Sequence, residues 1–149
     1  MKKFLTWFMC LVLLGFCGQQ GWMPNAASAK DEVKEVTMQS CIERCKKCQK
    51  VCEDTLAYCK KKGGKLAEKE NLNALQDCIA SCKLSADYMT RASANHMKSC
   101  EFCSEICKKC AEACEKFKGD KQMEKCAEEC RTCEESCRKM ASGHANHKM

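Results

Sequence analysis

CIERCKKCQKVC, residues 41–52, sets four cysteines at steps of four, three and four. At roughly 100° per residue, such steps return a side chain to nearly the same face of an α-helix. The pattern C-x(3)-C-x(2)-C-x(3)-C recurs at residues 126–137, and in another phase from Cys100 to Cys114. Four rows result: Cys41, Cys45, Cys48, Cys52 and Cys59; then Cys78 and Cys82; then Cys100, Cys103, Cys107, Cys110 and Cys114; then Cys126, Cys130, Cys133 and Cys137. Thiols stand where a helical protein normally keeps leucine and isoleucine. The repeat is a heptad seam rather than a solenoid period.

The breakers between the rows predict four helices and almost no strand. Gly63-Gly64 ends a first helix over about 31–62, with Asp31 and Glu32 favourable to its N-terminal dipole. A second runs over about 65–92 with the seam Leu75, Cys78, Cys82, Ser85, Met89. Ser93 and Asn95 suit a turn and an N-cap, and a third helix follows over about 96–118. Gly119 stops it, Asp120 caps a fourth over about 120–141, and residues 142–149 form a flexible His/Met tail. Short connections between four helices imply an all-α, antiparallel four-helix bundle with a cysteine-lined core.

The N-terminus reads as a secretory signal. Lys2 and Lys3 precede an apolar run from Phe4 to Phe16, and a small-residue stretch ends in Ala27-Ser28-Ala29, so cutting is expected after Ala29. The run is shorter than the roughly 20 residues a spanning helix needs. Phe16 is too bulky for a lipoprotein site at Cys17, and Cys10 and Cys17 leave with the signal. Residues 30–149 are then a single exported domain, periplasmic or extracellular, with no membrane contact after cleavage. No Arg-Arg pair is present, so export is expected in the unfolded state, with metal loaded afterwards.

Charge excludes one class of partner. Removing Lys2 and Lys3 lowers the formal charge from +6 to +4, and lysine and glutamate interleave along every segment. These are solvated helix faces with no basic, aromatic-laced stripe, and nucleic acid is not the partner. Tyr58, Tyr88, Trp22 and the serines form no catalytic arrangement, which argues against an enzyme. Bulky core candidates are few: Ile42, Ile79, Ile106, Phe102, Phe117 and some leucines and valines. Cysteine fills volume as a small hydrophobe, so bound ligand or oligomerisation is expected to supply part of the stability.

Three chemistries use dense cysteine. A disulfide-stapled exported scaffold fits the compartment and the Cys78-x(3)-Cys82 pair, but thiols along one helix face are poorly aimed at each other. Zinc knuckles and ferredoxin-type clusters need loops or spacings absent here. Cuprous ion is soft, prefers thiolate and thioether ligands, and is satisfied by two or three. Many thiolates in a low-dielectric core repel, and each cation offsets part of that cost while displacing protons. Multiple Cu(I) ions therefore fit this core, with a disulfide scaffold and a general buffer for zinc, cadmium or silver as alternatives.

On these rows the chain resembles the copper storage proteins, and the resemblance covers essentially residues 30–149. It implies a four-helix bundle whose inward cysteines hold many Cu(I) ions, for copper supply or detoxification, in a homo-oligomer (tetramer or dimer). Carried over by position, the ligands are the sixteen cysteines from Cys41 to Cys137. The lysine pair in place of twin arginine is a departure, and it bears on whether metal is loaded before export. Met38, Met123 and Met140 extend the seams and Met89 continues the second. Antiparallel topology gathers Met38, Met89, His96, Met97, Met140, His144 and His147 at one mouth, where metal entry is expected; seam methionine also serves as ordinary core filler.

Overall fold

The computed structural model describes residues 36–143. Within them α1 (Met38–Lys62), α2 (Lys69–Thr90), α3 (His96–Glu115) and α4 (Lys121–Ala141) follow one another, with a 3-10 turn, Gly64–Ala67, before α2. Helix α1 packs against α2 and α4, and α3 packs against the same two, so α1 faces α3 and α2 faces α4 across the core. Cys41 near the start of α1 meets Cys137 near the end of α4, and Cys52 meets Cys126, as antiparallel neighbours must. The seams point inward, and the interleaved charges stay on the outside.

Local chemistry fixes the ends, and it moves several from their expected places. Thr37 and Ser40 form a reciprocal capping box (Ser40 N to Thr37 Oγ1, 3.1 Å; Thr37 N to Ser40 Oγ, 3.0 Å), so α1 starts at Met38 and not near 31. At its other end Gly63 takes φ 73°, where only glycine is at ease, while its N–H bonds Cys59 O at 3.0 Å. Extended Glu68 separates the 3-10 turn from α2, which therefore begins at Lys69 instead of 65. Helix α2 ends at Thr90, because Ala92 turns the chain at φ 49° without a glycine. The Asn95 side chain makes no capping bond to α3; Ser93 organises the turn, its Oγ accepting from Asn95 N and its carbonyl from His96 Nδ1. Helix α3 stops at Glu115, short of 118, and a turn carries the chain to Asp120. Asp120 Oδ1 accepts from the backbone N–H groups of Gln122 and Met123, and its Oδ2 from Tyr58 Oη at 2.7 Å, tying α1 to the cap of α4.

The core is sulfur-rich, with Leu75, Met89, Met123 and Thr55 among its largest fully buried side chains. Phe102, expected inside, is 52% exposed because it sits off the Cys100–Cys103 seam. Ile79, Ile106 and Phe117 pack only partly against the core. Outside, Glu129 is nearly buried between Arg44 (3.1 Å) and Lys47 (2.6 Å), which pins α4 to α1. Among the described residues no helix is long and apolar enough to cross a membrane.

Candidate metal centre

Each helix offers one seam, and the bundle brings the four together. All sixteen thiols from Cys41 to Cys137 are buried, and none is paired in a disulfide. Sulfur–sulfur distances across helices are short. Cys45–Cys137 is 3.4 Å, Cys52–Cys130 3.6 Å, and Cys78–Cys107, Cys82–Cys107 and Cys103–Cys82 are each 3.7 Å. Contacts also cross the diagonal, as between Cys78 on α2 and Cys130 on α4 at 3.9 Å.

Fourteen of the sixteen thiols fall into five groups in which every sulfur lies within 4.8 Å of the others. They are Cys41, Cys100 and Cys137; Cys45, Cys103, Cys133 and Cys137; Cys48, Cys82, Cys107 and Cys133; Cys48, Cys52, Cys78 and Cys130; and Cys52, Cys110, Cys126 and Cys130. Successive groups share members: Cys137, then Cys133, then Cys48, then Cys52 and Cys130. The result is one continuous column of sulfur along the bundle axis. Metal–sulfur bonds of about 2.3 Å let a single ion bridge any close pair, and a shared thiolate can bridge two ions.

Protons are unevenly held in this column. Hydrogen bonds with Cys103, Cys133, Cys48 and Cys78, together with burial, push the Cys107 thiol far up. Those from Cys107, Cys130, Cys133 and Cys52 hold Cys48 down against its burial. A thiolate here leans on neighbouring S–H donors, and a soft cation can replace those protons. Cys59 is different: burial raises it above its ordinary 9.0, opposed by the Asn71 amide.

Two of the sixteen, Cys59 and Cys114, belong to none of the five groups. Cys59 Sγ instead lies 3.6 Å from Met123 Sδ. At the opposite end Cys100 Sγ lies 3.6 Å from Met89 Sδ. That end is formed by the starts of α1 and α3 and the ends of α2 and α4. It carries Met38, half-buried, Met89, His96 and Met140, all buried, and Met97, 38% exposed beside Gly143. His144 and His147 of the expected mouth lie outside the described residues, as does the signal segment. The seam reading passed over Asn71 and Thr55, which are also buried in the core. Their signal was available: Thr55 follows Cys52 by three, and Asn71 precedes Cys78 by seven.

Against protein families, residues 34–142 match the model described as "Copper storage protein". The chain belongs to the copper storage protein family. Solved structures carry the same likeness. A Nitrosospira multiformis protein is 38% identical with TM-score 0.67, over 70% of this chain and 94% of that one. The Cu(I)-bound copper storage protein BsCsp3 is 30% identical with TM-score 0.65, over 69% of this chain and 96% of that one. The metal-free copper storage protein 3 of Bacillus subtilis is 30% identical with TM-score 0.64, over 69% and 97%. No curated protein matches. The four-helix fold of this copper storage family member is thus shared with solved structures over about 70% of its chain.

Proposed function

We propose that the buried thiols Cys41, Cys45, Cys48, Cys52, Cys59, Cys78, Cys82, Cys100, Cys103, Cys107, Cys110, Cys114, Cys126, Cys130, Cys133 and Cys137 are the ligands through which this protein stores multiple Cu(I) ions. The observation that carries this reading is the continuity of the sulfur column: groups that share thiols suit low-coordinate, bridged Cu(I). The chemistry is binding and release rather than catalysis. Loading displaces thiol protons and cancels thiolate repulsion, so metal and fold support each other.

Entry is placed at the end carrying Met38, Met89, His96, Met97 and Met140, with His144 and His147 on the chain beyond. Soft donors there grade from half-exposed Met97 to fully buried Cys100, where Met89 touches the first thiol. Residues 1–29 are read as a cleaved signal, which puts the mature protein outside the cytoplasm and its loading after export. Assembly as a homo-oligomer of bundles follows from the family resemblance and is checked by light scattering of the mature chain.

The deciding experiment is an anaerobic Cu(I) titration of the reduced protein against a coloured cuprous chelator, with free thiols counted in parallel. Many equivalents, approaching the cysteine count, are expected. One or none, with thiols paired as isolated, would make the protein a disulfide-stapled scaffold. Competition with zinc, cadmium and silver separates a copper store from a general soft-metal buffer.

A further inference from the structure

The end of the core opposite Met89 holds a group that the thiol column does not include. Cys59 Sγ on α1 donates to Met123 Sδ on α4 across 3.6 Å. Asn71 on α2 approaches both the loop and the thiol: its Nδ2 donates to Leu66 O at 2.7 Å and to Cys59 Sγ at 3.7 Å. Cys59 and Met123 are fully buried and Asn71 is only 6% exposed. Asn71 Oδ1 is buried with no hydrogen-bond partner. An orphaned buried acceptor of this kind is destabilising, so it calls for an explanation.

Position sets this group apart. One seam step inward stand Thr55, before Cys59, and Leu75, after Asn71, both with no exposure. Leu75 offers no ligand atom. The Thr55 hydroxyl is engaged, donating to Val51 O at 2.7 Å and accepting from Gln122 Nε2 at 2.8 Å. The nearest layers of the column therefore cannot extend to Cys59 through these two positions, and Cys59 joins none of the five groups.

We propose that Cys59, Met123 and Asn71 together form a Cu(I) site at this end of the core, outside the five thiol groups. A thiolate and a thioether are the ligands a cuprous ion prefers. With metal–sulfur bonds of about 2.3 Å, an ion bridging sulfurs 3.6 Å apart sits off the line between them. That leaves a third side open for the Asn71 oxygen. The Asn71 amide N–H directed at Cys59 Sγ stabilises the thiolate that binding creates, and Leu66 O holds the amide in place. Binding here releases one proton, from Cys59, and no redox change occurs.

This inference rests on the Cu(I)-storage reading, and one experiment separates the two. The full mature chain, carbon-13-labelled at its methionine methyls, is titrated anaerobically with Cu(I) alone and followed by NMR, with capacity measured by chelator competition. The Met123 methyl resonance is expected to move in wild type and to stay in place in Cys59→Ser, where the column still loads. Met123→Leu, close in volume, is expected to lose about one equivalent of capacity while the remainder binds unchanged. Asn71→Leu is expected to retain the site with several-fold weaker affinity. A Met123 methyl that does not move at saturating Cu(I), or that moves equally in Cys59→Ser, overturns the proposal while storage in the column stands. A wild-type chain that takes up no Cu(I) overturns both.

Discussion

Cys45 Sγ lies 3.4 Å from Cys137 Sγ across the α1–α4 contact, and Cys137 is also the sulfur that joins the Cys41–Cys100 group to the Cys45–Cys103–Cys133 group. A thiol in that position serves two prospective sites at once. Changing it should cost more than changing a thiol at the margin.

Cys137→Ser is therefore expected to remove about two equivalents of Cu(I), and Cys114→Ser, outside every group, one or fewer. Helical content should hold in both, although a buried hydroxyl in place of sulfur costs about 1–3 kcal/mol. Chelator-competition titrations beside circular dichroism give the comparison. Equal losses would show that the column is not organised by shared thiols.

The metal-free protein should weaken in alkali. The Cys59 thiol is raised above its ordinary 9.0, first by burial. A raised folded value means its contribution is whole below pH 9.0 and is lost as pH rises through the folded value, because the unfolded chain ionises first. Denaturant midpoints measured on either side of pH 9.0 should fall on the alkaline side, and Cys59→Ala should flatten that slope. Cu(I) affinity runs the other way. Protons compete for the thiolates, so it should drop as pH falls.

Asp120 makes a second, acidic prediction. Its carboxylate is held below its ordinary 3.8, first by the Tyr58 hydroxyl, which outweighs the opposing effect of burial, with the α4 N–H groups of Met123 and Gln122 adding to it. A depressed folded value gives stability that is present above pH 3.8 and lost as pH falls through the folded value. Asp120→Ala should cost about 1 kcal/mol at neutral pH, as N-cap removals do. Thermal melts at neutral pH and below pH 3.8 should show the gap between variant and wild type closing in acid. A constant gap would assign the loss to packing instead.

Met89→Leu is expected to slow Cu(I) loading several-fold with capacity unchanged, because Leu keeps the volume and removes the thioether beside Cys100. Deleting residues 144–149 is expected to act in the same direction if the two histidines serve the entrance. Stopped-flow transfer from a cuprous donor complex reads both. Loading at the wild-type rate in both variants would place entry elsewhere.

Much of this was legible in the chain itself. Steps of three and four fix the face on which a helix carries its cysteines whatever surrounds it, so Cys41 through Cys59 and Cys100 through Cys114 had to line single seams. Their inward direction follows too, since lysine and glutamate fill the remaining positions. The soft-metal reading came from the same residues, because no other part of the chain supplies a comparable concentration of one ligand type.

Tertiary structure decided the rest. Helix ends depended on particular hydrogen bonds: the Thr37–Ser40 box shortened α1, and extended Glu68 delayed α2. Phe102 is apolar by composition, yet it stands one position from the seam, where rotation about the helix axis turns it to solvent. Which thiols meet is a matter of layer register between antiparallel helices, set by the turns and the packing between them. Spacing along one helix cannot place Cys48 beside Cys78, Cys107 and Cys130, or leave Cys59 facing Met123 and Asn71. The sequence determined that this protein would line a helical core with sulfur; only the packed bundle decided how that sulfur is divided, because the distances that matter cross between helices.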